Sequence, residues 1–342
     1  MSSFPEPENR VNNSVPETEP TASEHRPKAE VLAEPLPEWS KAIEEWGIGW
    51  EFHQYGLGAI YTLVFLFVVI SLWKRFQGAR VIPQNKVPII VLSLLGLFCV
   101  TRGLFLCIDA YHWKKIVPVF VINILWGVGQ PCLITAYTLV FIVMRNALVL
   151  KLRFQKWYNT KNIAMATVPY FLFALGAEFT LSFIPTFKGL TFACQTLYIV
   201  FGLSLTVFYS MIAILIWKKF TTIESSKRWA TESSRTRGTR TRAILRTCLA
   251  AVVGGVLICV MQVYAMSGVY GVFSDARHVP ARPWLAFQTM FRIVEIYMVV
   301  VLWYAVNERN TQERKSDSLT PTSTLVSVES PANENSVQLQ DV

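Results

Sequence analysis

The sequence predicts an all-α integral membrane protein: a bundle of seven transmembrane helices with disordered termini. Only 16% of its 342 residues are charged and 52% are hydrophobic, whereas a soluble domain usually has about 25% charged residues. The charged residues are concentrated between long apolar blocks. This alternation is typical of a chain that crosses a lipid bilayer repeatedly.

Seven apolar blocks are long enough to cross about 30 Å of hydrocarbon as helices. They comprise residues 55–73, 87–108, 117–144, 162–184, 189–217, 243–266 and 284–305. The third block contains Pro131 and is longer than a span requires, so we expect it to be tilted or kinked. The blocks define a membrane domain over residues 55–306.

Basic residues indicate the orientation of this domain. The loops after the first, third and fifth blocks contain 17 Lys and Arg residues, whereas the other three loops contain five. Cytoplasmic loops carry the positive excess, which predicts an extracellular N-terminus and a cytoplasmic C-terminus, with the plasma membrane as the expected location. The chain has a net charge of +9 but contains neither a zinc-finger spacing nor a basic helix stripe. We therefore expect no nucleic-acid binding.

Polar segments flank the membrane domain. Residues 1–36 and 307–342 lack hydrophobic periodicity and are rich in residues such as Pro, Ser and Thr, so we expect both tails to be disordered. Asn12 begins an Asn-Asn-Ser sequon and is a candidate glycosylation site in the extracellular tail.

Between the first tail and the first block, residues 37–54 contain a tryptophan stripe. Trp39, Trp46 and Trp50 recur at helical spacing with Ile43 between them. Because tryptophan favours the membrane–water interface, we interpret this segment as an interfacial helix on the outer surface. The alternative is a plain extension of the first spanning helix.

Polar side chains inside the blocks are the candidate functional residues, because each is costly in hydrocarbon. They are Arg102, Gln130, Glu178, Gln195, Gln262, Gln288, Arg292 and Glu295. Most would lie in the outer half of the membrane. The last three are spaced i, i+4, i+7 and therefore share one helix face. Two arginines and two glutamates occur in the set, so we expect a buried network in which the charges are paired.

Three roles remain open for this network. The network is either a structural clamp between helices, or an outward-opening ligand pocket, or a path for an ion or substrate. A second group of candidates would lie at the outer face of the bundle: Trp46, Trp50, Glu51, His53 and Asp109. Of these, Asp109 either shares a helix face with Arg102 or caps the helix end at the water interface.

Several kinds of activity are disfavoured. No histidine lies in mid-membrane, which argues against intramembrane zinc hydrolases and Ser–His proteases. The outer histidines His53, His112 and His278 lack an i, i+4 spacing, so we expect no metal site and no cofactor. The six cysteines lie in apolar blocks and are expected to pack as apolar residues. We therefore expect no enzymatic activity.

The basic loop 218–242 mixes Ser and Thr with Lys and Arg. It is a candidate for binding anionic lipid or a cytosolic partner, or for phosphorylation. The alternative is a solvated segment that only sets the topology.

Specific strings in the chain resemble the membrane domain of the proline-rich transmembrane protein 3 and 4 family over about residues 39–306. These strings are Trp46-Gly47-x-x-Trp50-Glu51-x-His53-x-Tyr55-Gly56, Thr101-Arg102, Asp109-Ala110-Tyr111, Pro131-Cys132-Leu133 and Arg282-Pro283-Trp284-x-Ala286-Phe287-Gln288. The resemblance implies a seven-helix domain behind a proline-rich outer region, which is short here. It implies no activity and no ligand.

The expected function is that of an orphan seven-helix membrane protein, receptor-like or scaffold, with a buried polar network in the outer half of the bundle. A transporter or channel that uses this network as a substrate path is the alternative.

Overall fold

A computed structural model of the chain describes residues 36–79, 86–147, 160–184, 188–225, 232–267 and 278–318. Within these ranges the chain is helical and contains no β-strand. Asn12 and nearly all of the predicted tail 1–36 lie outside the described residues, as does the end of the predicted tail 307–342.

The described α-helices are α1 (Trp39–Trp46), α2 (Ile48–Glu51), α3 (Leu57–Ala79), α4 (Val87–Asp109), α5 (Val119–Ala147), α6 (Thr160–Phe183), α7 (Lys188–Ser225), α8 (Glu232–Met266) and α9 (Ala281–Ser318). A π-helical turn, Phe52–Gly56, joins α2 to α3, and a 3-10 turn, Ala110–His112, follows α4. α5 is described as one helix that contains Pro131.

Six stretches within these helices are long and apolar enough to cross a membrane. They are Ile48–Gln77, Val87–His112, Val119–Ile142, Gly189–Lys218, Thr241–Met266 and Ala281–Asn307. A further apolar stretch, Thr167–Phe183 in α6, is shorter. The prediction of an all-helical integral membrane protein is therefore confirmed, with six candidate spans and one shorter apolar helix.

Helices α3 to α9 pack in chain order, and α9 returns to contact α3 and α4. α5 lies inside the bundle and contacts α4, α6, α7 and α9. Large apolar side chains also cover the outside of the bundle; on α3, for example, Leu63, Phe67 and Ile70 are exposed. Apolar surface of this extent is typical of helices that face lipid.

The pre-helix differs from its prediction. Gly47 adopts a φ of +48° and separates α1 from α2, so the segment is divided into two short helices. The first candidate span begins at Ile48 instead of residue 55. Ile48 and Phe52 are exposed apolar residues, which extend the lipid-compatible surface of the span toward Gly47.

Two segments expected to be irregular are partly helical. α7 continues to Ser225 and α8 begins at Glu232, so most of the predicted loop 218–242 is helix. Likewise α9 continues to Ser318, well beyond the predicted helix end. Hydropathy detects only the apolar part of a helix, whereas Lys, Arg, Glu and Gln are good helix formers that extend it.

Candidate functional site

The polar face of α9 is buried in the bundle. Gln288, Arg292 and Glu295 are 3%, 0% and 1% exposed. α9 packs against α3, α4 and α5, and the three side chains point toward these neighbours. The i, i+4, i+7 spacing of Gln288, Arg292 and Glu295 therefore places all three on the face of α9 that points into the bundle.

Four side chains from three helices form a buried group, which we call the charge cluster: Tyr61 of α3, Arg102 of α4, and Arg292 and Glu295 of α9. The Arg102 Nη2 atom lies 3.2 Å from Oε1 of Glu295. The other carboxylate oxygen, Oε2, pairs with Nη1 of Arg292 and accepts a hydrogen bond of 3.0 Å from the Tyr61 hydroxyl. One carboxylate thus joins α3, α4 and α9.

Arg102 makes further contacts with α5. Its Nη1 atom donates a 3.0 Å hydrogen bond to the carbonyl oxygen of Trp126. A Cβ atom placed on Gly129 would lie 2.7 Å from the Arg102 guanidinium carbon, so a glycine at this position lets the guanidinium lie directly against the α5 backbone. α5 is thereby attached to the charge cluster.

The charge cluster contains two cations and one anion. Removing a charge from water without compensation is costly in a low-dielectric interior, so the second guanidinium needs other acceptors. The Trp126 ring supplies one, because its centroid lies 4.7 Å from the guanidinium carbon of Arg102 and 4.6 Å from that of Arg292. Cation–π contacts on one shared ring offset part of the excess positive charge.

Glu178 of α6 lies on the other side of α5. A Cβ atom on Gly127 would lie 2.2 Å from the Cγ atom of Glu178, so the Glu178 side chain rests on this glycine. Gly127 and Gly129 are two residues apart and point in nearly opposite directions around a helix of about 3.6 residues per turn. The α5 backbone therefore lies between Glu178 and Arg102. Of the four charged residues predicted to form one network, the structure brings together Arg102, Arg292 and Glu295.

A hydrogen-bonded chain leads from the polar face of α9 toward the end of the bundle that carries α1. The Tyr111 hydroxyl donates to Oε1 of Gln288 over 3.3 Å and lies 3.2 Å from Nε2 of His53. The Nδ1 atom of His53 lies 2.8 Å from Oγ1 of Thr289. Because a phenol has one hydrogen to donate, Nε2 of His53 is the donor toward Tyr111 in this arrangement.

Above this chain lies a group of five aromatic residues, which we call the aromatic cap: Trp39, Trp46, Trp50, Tyr111 and Trp284. Trp46 stacks on Trp284 with ring centroids 5.6 Å apart, and Trp284 meets Tyr111 edge to face at 4.8 Å. Trp46, Trp50 and Trp284 are all buried. The cap joins α1 to the start of α9.

The tryptophan stripe was interpreted from the sequence as part of an interfacial helix on the outer surface; in the structure the rings of Trp46 and Trp50 pack against protein. Helical spacing identifies a buried face without distinguishing protein from lipid. Two ion pairs flank the stripe: Arg282 Nε lies 2.7 Å from Oε1 of Glu45, and Lys41 donates to Glu38 over 2.9 Å, which lowers the pKa of the Glu38 carboxyl.

Asp109 is buried and holds the loop that follows α4. Its two carboxylate oxygens accept hydrogen bonds from the backbone N–H groups of Lys114, Ile116 and Val117 at 2.9–3.3 Å. The loop includes left-handed backbone at Tyr111 and His112, a conformation that costs energy in non-glycine residues. Asp109 thus positions Tyr111, the residue shared by the hydrogen-bonded chain and the aromatic cap.

The remaining candidates divide between a cleft and the surface. Gln130, Gln262, Gln288 and Arg292 line a small, half-open cleft between α5, α8 and α9, together with the aromatic residues Trp126, Phe287 and Phe291. Gln195 is buried on α7 and does not line this cleft. Glu51 is exposed. Among the described residues no three His, Cys, Asp or Glu side chains are grouped as metal ligands would be.

Comparison with known proteins identifies the family. The family described as "Proline-rich transmembrane protein 3 domain" matches residues 23–330 of the chain. "Proline-rich transmembrane protein 4" of Mus musculus is 33% identical over 114 residues, which cover 30% of this chain and 12% of the mouse protein. The Homo sapiens protein of the same name is 33% identical over 101 residues, or 28% of this chain and 10% of the human protein.

The chain therefore matches only about a tenth of the length of these two relatives. The family match is much more extensive, since it covers the region that contains α1, the aromatic cap and the charge cluster. With nearly all of the helical region included in that match, the chain belongs to the family defined by the proline-rich transmembrane protein 3 domain.

Proposed function

We propose that this protein is a receptor-like or scaffold membrane protein without enzymatic activity, in which seven helices cross the plasma membrane with the N-terminus outside. The observation that supports this proposal most strongly is the continuous connection from the aromatic cap to the charge cluster. Tyr111 belongs to the cap and its ring centroid lies 6.0 Å from that of Trp126, whose ring contacts the guanidinium groups of both Arg102 and Arg292. A partner or ligand that displaces the cap acts on the buried ions through this connection.

Two features support seven spans and this orientation. α6 has 24 residues, and at 1.5 Å per residue such a helix extends about 36 Å, enough for the hydrocarbon core. The excess of basic residues in alternate loops places the α1 end of the bundle outside. Glycosylation of Asn12 and exposure of a C-terminal tag only after permeabilisation test this orientation; a C-terminal tag stained on intact cells would overturn it.

We propose a structural role for the buried histidine. The two ring nitrogens of His53 contact Tyr111 and Thr289, and these contacts hold Tyr111 against α9.

The end of the bundle opposite α1 bears on the alternative function, transport. There, Arg75 of α3 donates a 2.7 Å hydrogen bond to the carbonyl oxygen of Val306. Ser71 of α3 accepts hydrogen bonds from Trp303 and Asn307 of α9. These contacts hold α3 and α9 together on the proposed cytoplasmic side, which favours a receptor-like bundle over one with an open path.

The basic segment 218–242 is the proposed cytosolic contact region. Its described parts continue α7 to Ser225 and begin α8 at Glu232. Two helices that extend into a segment rich in Lys and Arg suit attraction to anionic lipid or to an acidic cytosolic partner.

The test of the proposal is whether a change in the aromatic cap alters the distance between α3 and α7 on the cytoplasmic side. Spin labels at Trp73→Cys and Thr221→Cys, in a Cys107→Ser background, report the distance between α3 and α7 by double electron–electron resonance. We expect Tyr111→Phe, which removes one hydroxyl, to change the distance distribution. The control Tyr55→Phe removes a hydroxyl from an exposed tyrosine that contacts the Lys114 side chain at the surface, and it should leave the distribution unchanged. Identical distributions for wild type and Tyr111→Phe, or solute uptake into proteoliposomes, would contradict a receptor-like role.

A further inference from the structure

The helix α1 has two faces of opposite character. The face that packs against the bundle consists of apolar residues: Trp39, Ala42, Ile43 and Trp46. The opposite face is exposed and polar: Ser40, Lys41, Glu44 and Glu45. A helix with this pattern, with tryptophan on its apolar side, is also suited to lie flat in a membrane–water interface. One apolar face therefore fits two surfaces.

Gly47, directly after α1, is built as a joint. Its φ of +48° and ψ of −128° form a backbone conformation that glycine adopts readily and other residues avoid. No described atom lies within 4 Å of a Cβ placed on Gly47, so neighbouring side chains do not enclose this point of the chain. A rotation at Gly47 moves α1 relative to α2 without displacing any packed side chain at the joint.

The joint lies at the level where the lipid-facing surface begins. Ile48 and Phe52 follow it and are 83% and 54% exposed, and the first candidate span starts at Ile48. Exposed apolar side chains at the start of a span face lipid. A rotation at Gly47 therefore brings α1 to the lipid–water interface while the span keeps its place.

We propose that α1 is a hinged lid with two docking surfaces: the aromatic cap, on which the structure shows it, and the neighbouring lipid–water interface. The partner of the released lid is the phospholipid surface. This inference deepens the proposed receptor-like function, on which it rests, by naming the element that uncovers the cap and the surface that receives that element.

The polar contacts that hold α1 on the cap are weak. The ion pair between Glu45 and Arg282 joins side chains that are 40% and 77% exposed, and exposed pairs contribute little to stability. The backbone N–H of Val279 donates a long hydrogen bond of 3.4 Å to the carbonyl oxygen of Leu36, before α1. Docking therefore depends mainly on aromatic packing, and tryptophan is favoured at the lipid–water interface as well.

The docked state also leaves two indole groups unsatisfied. The Nε1 atoms of Trp46 and Trp50 are buried and have no hydrogen-bond acceptor among the described residues, and a buried donor without a partner costs free energy. At the interface, water and lipid carbonyl groups accept such bonds. Release thus relieves a cost of the docked state, which narrows the free-energy gap between the two positions of the lid, as a two-state element requires.

The first measurement follows the position of α1. Spin labels at Glu44→Cys on α1 and Ile116→Cys in the loop after α4, both exposed positions, report their distance by double electron–electron resonance. The protein is held in phosphatidylcholine nanodiscs, in a Cys107→Ser background. We expect one major distance for the docked lid and a second distance that grows when the lid is released.

Ala42→Leu is the releasing variant. Ala42 is 1% exposed on the docked face, so a leucine overpacks the cap, whereas a larger apolar side chain strengthens binding at a lipid interface. The second distance should become the major one. Ser40→Leu adds the same side chain on the exposed face and should keep the distance of the unmodified protein. An unchanged distance in Ala42→Leu, or the same change in Ser40→Leu, overturns the lid.

The second measurement identifies where the released lid goes. Tryptophan fluorescence is quenched by brominated phosphatidylcholine in the nanodisc or by iodide in the water. We expect Ala42→Leu to gain quenching by the brominated lipid, and Trp39→Phe in the same variant to remove part of that gain. A gain with iodide alone places the lid in water and overturns the lipid surface as its partner.

The hinge has its own variant, which leaves the cap unaltered. Gly47→Ala adds a methyl group that meets no described atom but disfavours the positive φ, so the second distance should grow. Gly49→Ala is the matched control, because its Cβ would make only an ordinary contact of 3.7 Å with Leu285. Equal distance distributions for the two alanine variants overturn the assignment of Gly47 as the hinge.

The lid and the receptor-like role fail separately. If Ala42→Leu moves α1 to the lipid while the distance between the labels on α3 and α7 stays unchanged, the lid stands and the receptor-like role is overturned. If α1 keeps one distance in every variant while Tyr111→Phe alters the distance between α3 and α7, the lid is overturned and the receptor-like role stands.

Discussion

Arg102 on α4 and Glu295 on α9 form an ion pair of 3.2 Å between side chains that are almost completely buried and lie 193 residues apart in the chain. The second carboxylate oxygen of Glu295 accepts a hydrogen bond from Tyr61 of α3 and forms an ion pair with Arg292 of its own helix. Three helices therefore depend on one carboxylate.

Gly129 should be intolerant of a side chain. A Cβ atom at this position would lie 2.7 Å from the Arg102 guanidinium carbon, so Gly129→Ala forces the guanidinium away from the α5 backbone and from its hydrogen bond to Trp126. We expect a loss of about 1–3 kcal/mol, the usual cost of overpacking a core. Thermal unfolding in nanodiscs measures it.

Gly176→Ala is the matched control for that substitution. No atom lies within 4 Å of a Cβ placed on Gly176, and alanine is the better helix former. Its unfolding temperature should equal or exceed that of the unmodified protein. If both alanine variants unfold at the same temperature, Gly129 is not required for the position of Arg102.

Trp284 should be the most important residue of the aromatic cap. It contacts Trp39, Trp46 and Tyr111, so Trp284→Ala opens a cavity under α1. We expect a loss of about 3–5 kcal/mol, as for other buried large-to-alanine changes, and increased proteolysis near Gly47. Trp217→Ala, which removes a tryptophan that is 59% exposed, should have little effect; similar losses for both would contradict a protein-packed cap.

Asp109 should control the loop after α4. Asp109→Ala removes the acceptor of the backbone N–H groups of Lys114, Ile116 and Val117, and buried donors left without partners cost about 1–3 kcal/mol each. Hydrogen exchange at these three amides should rise sharply relative to Glu51→Ala, which changes an exposed carboxylate. Unchanged protection of the three amides would show that the loop is held by other contacts.

Much of this arrangement was predictable from the sequence. Hydropathy predicts the helical membrane class, and the i, i+4, i+7 spacing of Gln288, Arg292 and Glu295 predicts one inward face, because charge is excluded from lipid. The partner on α4, Arg102, was predictable for the same reason. These residues stand out because their chemistry is unusual for their surroundings.

Other parts of the site could not be derived from the sequence. Tyr61 and Trp126 are ordinary residues of an apolar block, and nothing in their local spacing indicates that both contact the ions. The position of Glu178 behind α5 depends on how α5 and α6 pack, which is set by Gly127 and by tertiary contacts. The tryptophan stripe was detected, but periodicity alone does not show whether a helix face meets lipid or protein.

The most direct test compares Glu295→Gln with Arg292→Gln in unfolding free energy and in surface delivery. Glu295→Gln removes the carboxylate that pairs with both buried guanidinium groups and should cost about 3–5 kcal/mol, the usual penalty for breaking a buried pair. Arg292→Gln leaves the Arg102–Glu295 pair intact and electrically neutral, so its cost should be clearly smaller. Equal losses, or a larger loss for Arg292→Gln, would contradict the account of a cluster built on the single carboxylate of Glu295.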